Sequence, residues 1–471
     1  FLFEPVYGDE AATLTQFVFR PWYFALSDYS IPNNHIFHTF LAHVIYKIFG
    51  NQLWILRLPV FVSGICLIPL IFGINTYLFD KYTALLSTVF VAAATVLVHY
   101  SVDARGYNIL ILIFYLLLAL VLYLRSNNNL FVWLLFSVIA SLGFYTIPLM
   151  LYPYSVLIVL VLENLFNLDN KERKKYCVYL LISILLTIIL TFVLYLPVII
   201  SFGVKQIIDH PWTISNQLSF IHFFERLLPA GYSLISEWNS NFSFVVKGII
   251  FVGYLLLLFL HKKILRFKKG ILIITSACFL LLIIITFQRI IPPNRAWLFL
   301  FPLYISFGCM GVIIALKNIF TKYQKINSNL IIKSLVPIFL LIGTFHTIKN
   351  FKTQDYGGIF RDAKKVTDFL KKNLNENSCV IFVGKNGSPL VYYFNKIDVS
   401  LNYLYPKKIE KCKEIYIVKN SVKSLNKLLI DIDFPQNDVD LKEIRTFTKA
   451  SVYYGKVKDG AGLRNIKLPL L

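Results

Sequence analysis

Charge is scarce in this chain. Only 15% of its 471 residues are Asp, Glu, Lys or Arg, 57% are hydrophobic, and the mean hydropathy is +0.65. That excludes a wholly soluble protein, because repeated runs of about 20 apolar residues are what a bilayer core demands. Acids are scarcer than bases, 25 against 47, for a formal net charge of +22. Such an excess can mark a nucleic-acid partner. Here the bases mostly sit in short loops between apolar runs, where they orient spans, so nucleic acid is excluded. Cysteine is sparse too. Cys66, Cys177, Cys278 and Cys309 lie in apolar runs without metal-ligand spacing and read as small core residues. Cys379 and Cys412 each precede a strand-like run in a polar tail, and can pair in an oxidising compartment. No cleavable signal peptide is visible. The opening Phe1-Leu2-Phe3 looks like the tail of a membrane span cut off or left out.

Residues 4 to 50 are aromatic-rich and too polar to cross a bilayer. Pro21-Trp22-Tyr23 and Ile31-Pro32-Asn33-Asn34 break them into two amphipathic pieces. The second, His35 to Phe49, carries Phe40, Val44 and Ile48 on one helical face and is expected in the interface plane. His35 and His38 have helical spacing but no third ligand, so packing or hydrogen bonding explains them better than metal. Spans follow at about 54 to 79, 82 to 99, 103 to 125, 130 to 147, 149 to 166, 177 to 203, 242 to 260, 270 to 288, 296 to 316 and 330 to 348. A long connection, 204 to 241, carries Asp209, His210, Trp212, Glu225, Arg226, Glu237 and Trp238.

After about residue 349 the composition becomes that of a soluble domain. Asp362 to Leu374 predicts a helix, Val380 to Val383 and Glu414 to Val418 predict strands, and Ser421 to Ile430 a second helix with Ser421 as N-cap. The alternation suggests a small α/β layer. Val383-Gly384-Lys385-Asn386-Gly387-Ser388 lacks the glycine spacing of a phosphate loop and is better read as a turn.

The basic loops fix the orientation. Arg125, Lys171 to Lys175, Lys262, Lys263, Arg266, Lys268, Lys269, Lys317, Lys322 and Lys325 fall on one side, taken as cytoplasmic. Asp9, Glu10, Arg57, Asp103, Arg105, Arg289, Arg295 and the 204 to 241 connection then face the other side. Asp9 and Glu10 alone read as a solvated loop, and Asp103 with Arg105 as a salt-bridged turn worth little. Their coincidence on one face, at span ends where desolvation is costly, favours a site. A carboxylate there can take a proton from a hydroxyl acceptor, and several arginines can hold a phosphate through charge-assisted hydrogen bonds.

An ordered set of short motifs carries a resemblance. It consists of Gly8-Asp9-Glu10-Ala11, Asn34-His35-Ile36-Phe37-His38-Thr39-Phe40-Leu41-Ala42-His43 to Phe49-Gly50, Arg57-Leu58-Pro59, Asp103-Ala104-Arg105-Gly106-Tyr107, and Arg295 leading into Phe301-Pro302-Leu303-Tyr304. The set resembles the GT-C glycosyltransferases of the protein O-mannosyltransferase and aminoarabinose transferase type. It is clearest over residues 4 to 125 and recurs near 289 to 305.

The resemblance implies a mainly α, polytopic transmembrane helical bundle with interfacial helices and a small C-terminal extracytoplasmic α/β domain, divided as 1–348 and 349–471. It implies transfer of a sugar, with inversion, from a polyprenyl-phosphate carrier to a lipid, glycan or protein acceptor on the outer face of a bacterial plasma membrane. By resemblance Asp9 is the acid that activates the acceptor, with Glu10 its neighbour. Asp103 belongs to a second acidic motif, and Arg57, Arg105, Arg289 and Arg295 are candidate phosphate contacts. His35, Tyr107, Trp212 and Trp238 are candidate acceptor or sugar contacts. No cofactor is required by this reading, and no ligand set supports a divalent cation. The alternative is a lipid-linked saccharide transporter or ligase-like membrane protein. A transporter would show ionisable groups near the midplane and repeat symmetry, and neither is seen.

Overall fold

The structure, a computed structural model, describes residues 1–208, 217–259, 279–322, 328–353, 360–384, 387–405, 409, 412–420, 424–458, 463 and 466. Asp209, His210, Trp212, Cys278 and the basic run 261 to 269 lie outside them. The chain divides into two compact units: Phe1 with Trp22–Gln354, and Leu2–Pro21 with Asp355–Leu471. The first loop, expected with the membrane part, therefore contributes its opening segment to the other unit. The break near 349 falls a few residues later than expected, because the last membrane helix runs on to Thr353.

In chain order the first helix, α1 (Gly8–Thr13), belongs to the second unit and runs into a π-helical turn, Leu14–Val18. The membrane unit begins with α2 (Trp22–Ser27) and α3 (Ile36–Phe49). It continues through α4 (Leu53–Leu56), α5 (Leu58–Leu78), α6 (Lys81–Ala92), α7 (Thr95–Tyr100) and α8 (Tyr107–Leu124). Next come α9 (Leu130–Thr146), α10 (Leu151–Leu165), α11 (Asn170–Phe202) and α12 (Lys205–Ile208). Then follow α13 (Phe220–Ser240), α14 (Phe244–Phe259), α15 (Phe279–Gln288), α16 (Phe301–Lys322) and α17 (Ser328–Thr353).

Among the described residues six helices are long and apolar enough to cross a membrane. Their outward faces are apolar as well. On α11, Leu181, Leu185, Ile188 and Phe192 form one exposed stripe, which water would not tolerate and lipid would. The chain is an integral membrane protein. The polarity of α3 is likewise turned inside out: Val44, Ile48 and Phe49 are exposed, whereas His38, Thr39 and His43 are buried.

Helix α8 forms the centre of this unit. Its buried positions include Ile109, Phe114, Tyr115, Leu117 and Val121. Its 18 residues span about 27 Å, close to one hydrocarbon thickness. At its basic end Arg125 bonds Glu163 at 2.6 Å, and nearby helix ends are joined by Lys317 and Asp80 at 3.1 Å. Between α6 and α7 the helix breaks at Ala93 and Ala94. The carbonyl of Ala93, freed by the break, accepts from Thr347 Oγ1 of α17 at 2.6 Å. This is the condition under which broken backbone survives at membrane depth. Helices α14 and α16 touch backbone to backbone at Gly253, Gly308 and Gly311, where any Cβ would collide.

Polar groups also lock helices together. Asn75 Nδ2 donates to Ser87 Oγ at 2.9 Å and to Ser306 Oγ at 2.8 Å, joining α5, α6 and α16. Asn75→Leu should lower stability by roughly 0.6–1.7 kcal/mol, the measured scale of such bonds in membranes. Thermal denaturation in detergent will register it as a fall in Tm.

The connection expected at 204 to 241 contains a 21-residue helix, α13. Phe220, Phe224, Leu228, Tyr232 and Ile235 make an exposed apolar stripe along it, and only Phe223 and Trp238 are buried. The stripe is that of an interfacial helix, too polar overall to be read as a span.

The second unit holds α18 (Ala363–Asn373), β1 (Ser378–Gly384), α19 (Ser388–Lys396), β2 (Glu414–Asn420), α20 (Leu425–Asp431), β3 (Lys442–Thr446) and β4 (Ser451–Lys456). The sheet order is β1-β2-β4-β3, with β1 and β2 parallel and the other pairs antiparallel. The α/β layer was expected, but α19 and the β3–β4 hairpin were not. The expected N-cap, Ser421, lies outside the described residues; the described helix begins at Leu425, with Ser424 at its N-cap position. Of the turn after Val383, Gly387 caps α19, and residues 385 and 386 lie outside the described set. Cys379 and Cys412 are joined by a disulfide, with Cα atoms 5.8 Å apart at neighbouring strand entrances.

Candidate functional site

In the membrane unit, segments far apart in sequence meet around the first turn of α8. The loop from Ser101 to Gly106 delivers Asp103 and Arg105, and α8 opens with Tyr107. Gly106 allows the fit: a Cβ there would meet Thr146 Cγ2 at 2.5 Å and His35 Cβ at 3.0 Å. Its N–H donates to His35 Nδ1 at 2.8 Å. The ring proton of His35 is therefore on Nε2, and the ring packs edge-on against Tyr107, with centroids 4.9 Å apart.

Two guanidinium groups face the same phenol. Arg105 lies 5.0 Å from the Tyr107 ring centroid and Arg295 lies 5.7 Å from it. Arg105 Nη2 also donates to Asn33 Oδ1 at 2.6 Å. Arg295 sits in a 3₁₀ segment, Asn294–Leu300, entered through Pro292-Pro293. Its Nε is buried and has no hydrogen-bond partner among the described residues. A buried guanidinium N–H left without an acceptor is costly unless an anion or water supplies one. Arg57, at the head of α5, is fully buried, and with Arg105 lies close enough to act electrostatically on His99. Asp103 is buried and acts in the same way on Tyr100, whose ring packs edge-on against Tyr107 at 5.3 Å. Converging arginines over an aromatic floor suit a multiply charged oxyanion.

The histidines beside these arginines are held neutral. His35 is pushed well below its usual range, first by burial, then by Arg105, His38 and Arg295. Burial, with Arg105, takes His38 down to about 3. Between that value and the unfolded value near 6.5 the unfolded chain binds more protons than the fold. Stability is therefore complete above about pH 6.5 and falls as pH drops through this window. A lower Tm at about pH 5 than at about pH 7.5 is expected, and His38→Gln should narrow the difference.

Asp9 and Glu10 lie in the other unit, on α1. Their roles there differ. Glu10 is fully buried and its Oε2 accepts from Tyr7 N at 3.0 Å, closing a capping box at the helix start. Asp9 is only half-buried. A π-helical turn follows directly, a feature that frequently marks functional sites.

The candidates thus sort by place. His35, Arg57, Asp103, Arg105, Tyr107 and Arg295 come together at one end of the membrane unit. Arg289 holds a left-handed turn at φ 52°, its carbonyl accepting from Leu218 N, and is not one of the two guanidiniums over Tyr107. Trp238 is buried against Phe301 and Tyr304, at 5.6 and 5.3 Å. Trp212 lies outside the described residues. Asn33 and Tyr100 join the cluster without sequence warning. Asn33 lies in a Pro-Asn-Asn break that signals only a turn, and its partner is 72 residues away.

Residues 33–203 match the family model described as dolichyl-phosphate-mannose-protein mannosyltransferase. The structure is similar to ArnT from Cupriavidus metallidurans in the apo state, with a TM-score of 0.58 and 13% identity over 96% of this chain and 94% of that one. It is equally similar to ArnT from the same organism bound to undecaprenyl phosphate, with a TM-score of 0.59, 14% identity and the same coverage. No curated protein sequence matches. The resemblance carried by the motifs is borne out, and the fold is that of the GT-C glycosyltransferases.

Proposed function

We propose that this protein is a membrane glycosyltransferase that moves a sugar from a polyprenyl-phosphate carrier to a hydroxyl-bearing acceptor at the extracytoplasmic face. The observation that carries the reading is the pair Arg105 and Arg295 over Tyr107, with a buried Arg295 N–H that lacks an acceptor among the described residues. A phosphate oxygen would satisfy that group. The related ArnT structure bound to undecaprenyl phosphate supports a carrier of this class.

In this mechanism Asp9 takes the proton of the acceptor hydroxyl as its oxygen attacks the anomeric carbon. Attack comes from the side opposite the phosphate, so the configuration inverts. The bond from anomeric carbon to phosphate oxygen breaks, and the electron pair leaves with the phosphate. Arg105 and Arg295, aided by the charge of the buried Arg57, stabilise that developing charge. The phosphate leaves as an anion and needs no protonation, so arginine rather than a general acid is the group required. Asp103 orders the loop that carries Arg105, whose N–H donates to its carbonyl at 2.6 Å.

The Cys379–Cys412 disulfide supports an extracytoplasmic C-terminal domain, since such bonds persist in oxidising compartments. Arg125 and Glu163 would then mark the cytoplasmic side. A cysteine at Asn51 should react with an impermeant thiol reagent from outside intact cells, and one at Asn127 should not. Labelling of Asn127 from outside would reverse the orientation. Transfer itself is tested with radiolabelled polyprenyl-phosphate sugars, reading release of the free carrier phosphate. Binding without release across a sugar panel, with acceptor-containing membranes present, would favour a transporter instead.

A further inference from the structure

Asp9 is the residue whose support is least expected from its position in the chain. We infer that the C-terminal domain is the platform for the base, with Arg361 as a positioning residue for Asp9; this rests on the reading of Asp9 as that base. Residues 2–21 form one compact unit with 355–471. Within it α1 packs on α19, and Phe19, just past the π-helical turn, packs its ring on Tyr392 of α19 at 6.0 Å.

Before α1 the chain is fixed by an ion pair, Glu4 Oε2 to Arg361 Nη1 at 3.0 Å. Arg361 is itself anchored on both flanks. Phe360 is buried with its ring 6.0 Å from Phe382 of β1, and the Asp362 carboxylate accepts from Lys449 N at 2.7 Å. The backbone on either side of the guanidinium therefore has little freedom. Pro5 stiffens the link from Glu4 toward α1, and the Tyr7–Glu10 cap sets the helix start. Of Gly8, Asp9, Glu10 and Ala11, Asp9 alone is not buried. The segment is thus held at Glu4, along α1 and at Phe19, and presents one acid.

A partly exposed ion pair of this kind contributes little to stability. Its removal should leave the fold intact and let the base drift, which separates positioning from general structural support. The test uses the full chain in detergent. Binding is read with undecaprenyl phosphate, and turnover as carrier release from the radiolabelled donors. Arg361→Ala is expected to lower kcat by roughly 10- to 100-fold, the scale produced by ångström-sized misplacement of a catalytic group. Carrier affinity, donor KM and Tm should stay within about twofold or experimental error. Arg361→Lys should recover part of the rate. Arg361→Glu should be as slow as Arg361→Ala, and adding Glu4→Arg should restore turnover.

Normal kcat in both Arg361→Ala and Glu4→Ala, with Asp9→Asn inactive, would overturn this inference and leave the assignment of the base standing. A parallel loss of carrier binding would also overturn it, because the effect would then be general disruption. Full activity of Asp9→Asn would overturn the assignment of the base and this inference with it.

Discussion

Asp9→Asn should reduce turnover by roughly 10²–10⁴-fold while leaving carrier binding nearly unchanged, the usual consequence of losing a general base. Asparagine keeps the shape and hydrogen-bonding capacity of the side chain but cannot accept a proton. The neighbouring acid is the control. Glu10 is buried and its carboxylate accepts the Tyr7 N–H, and a glutamine oxygen can accept the same bond. Glu10→Gln should therefore retain most activity, whereas Glu10→Ala should weaken the start of α1 by about 0.5–2 kcal/mol. Single-turnover kinetics with saturating donor separates these cases. Near-normal turnover in a folded, carrier-competent Asp9→Asn protein would make Asp103 the next candidate for the base.

The second large effect is expected on the arginines. Arg105→Ala and Arg295→Ala should each weaken undecaprenyl phosphate binding by about 1.5–3 kcal/mol, the range for a lost hydrogen bond to a charged group. That corresponds to roughly ten- to hundredfold in Kd. Lysine should rescue only part of the loss, since it cannot reproduce the planar fork. The two losses should not add, because both groups face one ring and one anion. Titration of the carrier into each purified variant measures this directly. Unchanged affinity in both would remove the pair from the site.

Much of the membrane part was legible because a bilayer leaves few options. The expected span from Asp103 to Arg125 is found as Tyr107–Leu124, and the expected spans at 130 to 147 and 149 to 166 are found as α9 and α10, joined through a 3₁₀ turn, Pro148–Met150. Topology by charge likewise brought Asp103, Arg105 and Arg295 to one end. Helix α13 escaped because its apolar residues fall on one stripe, so no window within it is apolar enough to suggest a span. The β3–β4 hairpin escaped for a related reason: every residue of β3 is exposed, so no alternation marks it. Least legible was the membership of residues 2–21 in the second unit. The packing of α1 on α19 joins positions almost a whole chain apart, and such pairing leaves no local periodicity to read.

The discontinuous second unit has a consequence for building hybrid proteins. A chimaera that exchanges only residues 355–471 with a homologous domain would set α1 on a foreign surface and remove the arginine that holds Glu4. The exchangeable module is a split one, 2–21 together with 355–471, although its parts are separated by the entire membrane-spanning region. Grafts that respect this division should keep their turnover, and grafts cut at the apparent C-terminal boundary should load carrier without discharging it.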